Sequence, residues 1–404
     1  MGVATTRFPR RVERAVVLAG WGVGLAALAV GGVAAGRGAL AWGGLFAWSA
    51  IFSGLMIAVY GFAPARAASW ALGLAVLNIA FVIPEWALRV AGFRHESGVQ
   101  FGFPRPEQFD RFVRDESLFW TLDPAAEGVN SRGFPGAEWS ERKPPGEFRI
   151  LYLGDSCTYE KEHVVSYPSL VHELREVRGR AGGDYISLAV PGYSTHQGRI
   201  LAERYGAALE PDVAVVFFGW NDHWLAYGEI DSEKALGVGP VAQLTDWVHG
   251  HSRLVQWVSY GVAQAAEGLR EEPAGPRRLR VPLPEFERNL RAIVAAFRRA
   301  DVPVIVVTAP SAHAALGVPR YVVERGFSVD AETALVDHAR YAAAARAVAE
   351  SEGAWLLDLE RDFGAVPPER LRRYFRVDGI HLSLLGAVEV ALRVDAVVEE
   401  RSPR

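Results

Sequence analysis

Three long uncharged stretches at the start of the chain constrain it more than any other feature. They are Ala15–Gly36, Gly38–Ala65 and Ala67–Pro84, of 22, 28 and 18 residues. A helix crossing the roughly 30 Å hydrocarbon core of a bilayer needs about 20 apolar residues, because backbone groups there must be bonded within their own segment. Residues 1–94 therefore read as a three-helix transmembrane region, with helices at about 15–36, 39–63 and 67–88. A cleaved signal peptide is the alternative for the first stretch, but two more apolar stretches follow at once. The third is the shortest, contains Asn78, and is expected to end in an interfacial turn near Pro84–Trp86. Gly20-x-x-x-Gly24 and Gly32-x-x-x-Gly36 would let helices approach closely. Arg7, Arg10, Arg11 and Arg14 precede the first stretch, against Arg37 alone in the first loop, so the positive-inside bias places the N-terminus in the cytoplasm. Three crossings of the cytoplasmic membrane then leave everything after about residue 93 periplasmic or extracellular.

Charge divides the chain at the same point. The first 94 residues carry eight Arg and two Glu, while the remaining 310 carry 35 basic and 45 acidic side chains. An acidic main body argues against binding a phosphate backbone as the main activity, so no nucleic acid partner is expected. One cysteine, Cys157, excludes an internal disulfide framework and a Cys-based zinc site. Neither a metal nor a cofactor is expected.

From Arg149 onward, short β-branched runs alternate with helical patterns, which implies an α/β domain with a mainly parallel sheet covered on both faces. The expected strands are Arg149–Leu153, Asp184–Leu188, Asp212–Phe218, Val302–Thr308 and Ala354–Leu357. Helices are expected near Ser166–Arg178, Thr195–Ala208, Glu285–Ala300 and Ala331–Ser351, with a last one after Ser383. The third of these sets Phe286, Leu290, Ile293 and Phe297 on one face at close to the helical period. Residues 95–148 form a connecting segment with a short helix expected near Pro106–Arg114 and turns around Asn130–Gly136. Within the domain at 149–404, residues 224–280 read as an insertion at the strand C-terminal edge, where insertions commonly shape a ligand site.

Four short blocks follow successive strands. Leu153-Gly154-Asp155-Ser156 presents a serine at the end of the first strand, and serine needs a base within hydrogen-bond reach to act as a nucleophile. Pro191-Gly192-Tyr193 follows the second, and Gly219-Trp220-Asn221-Asp222 the third. Glycine lets a backbone N–H approach a ligand, and asparagine offers an amide donor; such donors stabilise an oxyanion. Asp378-Gly379-Ile380-His381 comes after the last strand. Its carboxylate, three residues before the imidazole, can bind one ring nitrogen and leave the other to take a serine proton.

In this order the blocks GDS, Gly, GxND and DxxH resemble the SGNH/GDSL hydrolase superfamily, over about residues 130–400. Asn130-Ser131-Arg132-Gly133-Phe134 is similar to the lead-in of bacterial members. The resemblance implies a flavodoxin-like three-layer α/β/α fold and metal-free ester hydrolysis or acyl transfer. It implies Ser156 as nucleophile, His381 as base and Asp378 as its orienting acid. The oxyanion hole would be the N–H groups of Ser156 and Gly192 with the Asn221 side chain. Ala189 replaces an asparagine often seen before the second-block glycine, and Trp220 stands where a smaller residue is common.

Around these blocks, Trp220 and His223 are expected to bind substrate, with Trp224 beside them as a further candidate. Cys157 reads as a packing residue rather than a second nucleophile, and Asp155 as a local loop acceptor. His196, His163, His172, His313 and His338 read as helix or loop-surface positions, and Arg277-Arg278-Leu279-Arg280 as a solvated loop. The whole reads as a membrane-anchored serine esterase acting on an O-acyl ester of a cell-envelope glycan or lipid. The alternatives are an acyltransferase serving an envelope polysaccharide and a non-catalytic glycan-binding or assembly module.

Overall fold

Alternation along five strands explains why the larger part of the chain becomes a layered sandwich. In the computed structural model, which describes residues 10–36, 42–62, 67–93, 112–159, 165–180, 185–226, 228–235, 237–269 and 278–401, the chain divides into two units. The larger comprises residues 98–238 and 273–404. Its sheet contains β3 (Ile150–Gly154), β4 (Tyr185–Ser187), β5 (Val213–Phe217), β6 (Val304–Val307) and β7 (Trp355–Leu357). Every pair is parallel and the spatial order is β4-β3-β5-β6-β7, the flavodoxin-like 2-1-3-4-5 arrangement.

Successive side chains of a strand point to opposite faces. Leu151, Leu153, Ala214, Val216, Val304 and Val306 enter one core, which is closed by α5 (Thr195–Tyr205), α8 (Leu283–Arg298) and most of α11 (Ala331–Glu352). Ile150, Tyr152, Val213, Val215, Phe217, Ile305 and Val307 enter the other, closed by α4 (Tyr167–Val177) and α14 (Leu384–Arg401). Phe286, Leu290, Ile293 and Phe297 of α8 are all buried, as their spacing requires. Ser194 caps α5 in a reciprocal box with Gln197, and Asp330 caps α11, satisfying amide donors that helices leave unpaired. Four strands begin and end within one residue of the expected limits, and β6 starts two residues later than expected.

The connecting segment differs from expectation. Phe112–Asp115 is not the end of a helix but strand β1, paired antiparallel with β2 (Phe119–Leu122) around a turn in which Asp115 Oδ1 accepts the N–H groups of Ser117 and Leu118. The rest of the expected helix, from Pro106, lies outside the described residues. Asn130–Gly136 forms turns as expected. Shorter helices α9 (His313–Leu316), α10 (Arg320–Glu324), α12 (Leu359–Gly364) and α13 (Pro368–Tyr374) complete this unit.

The second unit comprises residues 1–97 and 239–272. It contains α1 (Arg10–Gly36), α2 (Gly43–Phe62), α3 (Ala67–Val90), α6 (Pro240–His251) and α7 (Arg253–Leu269). Helices stand where the three apolar stretches predict them, but among the described residues only Arg11–Ala34 and Ser69–Val90 are long and apolar enough to cross a membrane. The apolar run of the second helix, Gly43–Val59, is shorter. The third helix does not stop near Pro84–Trp86. It runs on to Val90 because its charges are neutralised in place: Glu85 is buried and pairs with Arg89 one turn later. Glu85 also accepts the N–H groups of Arg253 and Leu254 at the start of α7, and Arg89 donates to the His251 carbonyl at the end of α6. Of the two glycine pairs, Gly20 and Gly24 are close-approach positions, where a Cβ would meet Ala75 at 2.5 Å and Ser53 at 2.6 Å; Gly32 has nothing nearer than 3.9 Å.

Candidate active site

Three of the four sequence blocks follow neighbouring strands β4, β3 and β5, where the chain order reverses direction across the sheet; such switch points open a crevice at the strand C-termini. At the end of β3, Gly154 is required because a Cβ would overlap the Thr158 side chain and press on the Phe217 carbonyl. Asp155 then organises the turn. Its main-chain carbonyl accepts the N–H groups of Thr158 and Tyr159, and its buried carboxylate accepts from the Cys157 N–H at 2.8 Å and the Asn221 Nδ2 at 3.0 Å. Burial pushes the Asp155 carboxyl up from its ordinary range, and these donors oppose it. The turn leaves Ser156 facing a cavity of about 220 Å³.

The DxxH block supplies the other half. Gly379, at φ +70°, allows the chain to fold back so that Asp378 Oδ1 accepts the N–H groups of both Ile380 and His381, at 2.9 and 2.8 Å. Asp378 Oδ2 lies 2.9 Å from His381 Nδ1, and His381 Nε2 lies 2.9 Å from Ser156 Oγ. Burial raises the Asp378 carboxyl, but the His381 ring and the two N–H donors outweigh it and hold it at about 2. A permanently ionised carboxylate keeps the Nδ1–H tautomer and leaves Nε2 as the acceptor facing the serine hydroxyl.

Of the expected oxyanion donors, the backbone N–H groups of Ser156 and Gly192 make no hydrogen bond among the described residues. Asn221 spends one amide hydrogen on Asp155 and keeps the other. No group of His, Cys, Asp and Glu side chains suited to a metal occurs among the described residues.

A family model described as the GDSL-like Lipase/Acylhydrolase family matches residues 152–387, from within β3 to within α14. The chain belongs to this family. It is a carboxylic ester hydrolase. Among solved structures it is similar to a lipase/acylhydrolase from Enterococcus faecalis, at 17% identity and a TM-score of 0.42, over 64% of this chain and 99% of that one. It is also similar to the acetyl xylan esterase AlAXEase, at 19% identity and TM-score 0.41, over 62% and 100%. A third is Axe2, an acetylxylan esterase from Geobacillus stearothermophilus, at 15% identity and TM-score 0.38, over 64% and 95%. No curated protein matches the sequence.

The cavity of this acylhydrolase is lined by Phe112, Leu122, Val165, Tyr167, Leu382 and Arg376 beside Ser156 and His381. Trp220 and His223, expected to bind substrate, do not line it. They are 3% and 2% exposed, and the adjoining Trp224 is 6% exposed. Trp220 stacks on His338 with centroids 4.1 Å apart, and His223 Nε2 meets His338 Nδ1 at 3.1 Å. They turn inward because Asn221 alone of this block faces the Asp155 loop. Burial drives the His338 imidazole down to about 3 and His223 well below the usual range, so both are neutral.

Two more histidine readings change. His338 is buried rather than on the surface, and so is His313, whose Nε2 lies 2.8 Å from the Asp378 carbonyl and braces the DxxH loop from the start of α9. His172 is half-buried beside Glu176, and His163 lies outside the described residues. His196 stacks on Phe119, with burial lowering its pKa to about 4, and does not line the cavity. Cys157 is buried and its thiol is pushed well up by burial, as a packing residue requires. Arg280 is not solvated: it is fully buried against Asp231.

Proposed function

We propose that this acylhydrolase is a membrane-anchored serine esterase that removes a short O-acyl group from a cell-envelope glycan or lipid. The observation that carries the reading is the unbroken hydrogen-bond chain from Asp378 through His381 to Ser156 at the mouth of a cavity. Ser156 Oγ attacks the ester carbonyl while His381 Nε2 takes its proton. Asp378 stabilises the imidazolium that results. The tetrahedral oxyanion is received by the N–H groups of Ser156 and Gly192 and by Asn221 Nδ2. Collapse breaks the ester C–O bond, the alcohol leaves with the proton from His381, and water deprotonated by the same histidine releases the acyl-enzyme.

A cavity of about 220 Å³ is smaller than the roughly 300–1,000 Å³ of ordinary small-molecule sites, which favours a short acyl group. The apolar helices α1 and α3 favour residence in the cytoplasmic membrane, and the arginine-rich N-terminus favours a cytoplasmic start with the α/β unit outside. The test uses the full chain in detergent with 4-nitrophenyl acetate and an O-acetylated polysaccharide. Wild type releases acetate from both, and Ser156→Ala loses about 10³-fold or more. Undiminished release by Ser156→Ala would refute the assignment, and extraction of the chain from membranes by alkaline carbonate would refute the anchoring.

A further inference from the structure

The Gly192 loop is gripped from two sides by residues that do not line the cavity at Ser156 and His381. Trp120 of β2 is 2% exposed and lies outside the segment matched by the family. Its indole Nε1 donates to the Pro191 carbonyl at 3.1 Å, while its own carbonyl accepts the Tyr193 hydroxyl at 2.6 Å. The next carbonyl, that of Gly192, accepts from Arg280 Nη1 at 2.9 Å. Arg280 is itself fixed by a two-point pair with Asp231, and Asp231 is held in turn by Ser194 Oγ and Lys234. Bidentate arginine pairs of this kind define direction as well as proximity.

Peptide planarity converts these grips into an aim. The Pro191–Gly192 bond is trans, so its C=O and N–H point in opposite directions. With the carbonyl held on the indole, the Gly192 N–H points to the other side of the loop, where no protein acceptor meets it among the described residues. Pro191 lines the cavity together with Ser156 and His381. Gly192 sits at φ +85°, which lets both consecutive carbonyls turn away to their anchors. An N–H left open beside the Pro191 wall of the cavity, with no hydrogen-bond partner among the described residues, fits a ligand that supplies the acceptor.

We propose that Trp120, assisted by Arg280, is a positioning residue that aims the Gly192 N–H at the oxyanion of the tetrahedral intermediate. This rests on the reading of Ser156 as nucleophile, which Ser156→Ala tests separately. The experiment is Trp120→Phe in the full-length protein in detergent, with folding followed by thermal melting. It removes the indole donor and keeps an aromatic ring. Because a misaligned oxyanion donor weakens transition-state binding alone, kcat/KM for 4-nitrophenyl acetate should fall about 10–100-fold with KM within about twofold. The inhibition constant of a trifluoromethyl ketone, whose adduct carries the same oxyanion, should rise by the same factor. A loss of folded protein would lower kcat and leave that constant unchanged, which separates positioning from mere support. A folded Trp120→Phe with wild-type kcat/KM, or one whose ketone affinity is unaltered, would overturn the proposal. If Trp120→Phe does not fold, Tyr193→Phe removes only the hydroxyl on the Trp120 carbonyl. A parallel loss of about 3–10-fold in kcat/KM and ketone affinity is then expected, and no loss would overturn it.

Discussion

Two histidine centres in the α/β unit contain the same side chain in opposite circumstances. His381 has a carboxylate on one ring nitrogen, a serine hydroxyl on the other, and a cavity in front of it. His223 has another histidine, His338, and both are sealed beneath Trp220, Trp224 and Tyr341, with no acid bonded to either ring among the described residues. A partly buried imidazole works as a base more readily where an anion compensates the charge it will acquire. Without that partner, burial makes protonation costly and the ring serves as a flat polar filler. The difference also shows why adjacency along the chain misleads. His223 is two residues from Asn221, yet the turn sends one side chain to Asp155 and the other into the core.

That contrast can be broken at either centre. Asp378→Asn keeps the shape but removes the charge and the tautomer control, so kcat should drop by about 10⁴-fold with little change in melting temperature. A variant with more than a tenth of wild-type kcat would show that His381 works without its carboxylate. The other centre should respond in the reverse sense. His338→Phe retains a ring on Trp220 but leaves His223 Nε2 unpaired, costing about 1–3 kcal/mol of stability, while kcat/KM stays within about threefold. The pH dependence carries the same signature. His338 has a folded pKa of about 3 against an ordinary 6.5, so between those values the unfolded state binds more protons. Stability is therefore full above about pH 6.5 and declines as pH falls toward 3. In His338→Phe the decline should be shallower, measured by melting temperature from pH 7 to 4, and an unchanged slope would contradict a buried neutral His338.

Much of this architecture is legible in the sequence because it rests on local rules. Sheet strands are read from β-branched runs, and Ser156, Gly192 and Asn221 come in the loops after them, so finding the strands finds the proposed site. The DxxH spacing likewise encloses its own hydrogen bonds. The remainder depends on long-range contacts with main-chain atoms, which leave no pattern in residue type. Trp120 on the Pro191 carbonyl, Arg280 on the Gly192 carbonyl and His313 on the Asp378 carbonyl are of this kind. Two nearby arginines and a loop-like composition further disguise Arg280, while its partner Asp231 lies 49 residues away. In the helical unit, Glu85 and Arg89 suggest the end of an apolar span when taken singly. As a neutralised pair one turn apart, they let the helix continue.

The most direct test of the account is fluorophosphonate labelling of the detergent-solubilised full chain, with the adduct located by peptide mass spectrometry. Wild type and Cys157→Ala should each take up one label on Ser156, and Ser156→Ala none. A label on any other residue, or none on wild type under conditions where the ester is hydrolysed, would contradict the assignment of Ser156 as the nucleophile.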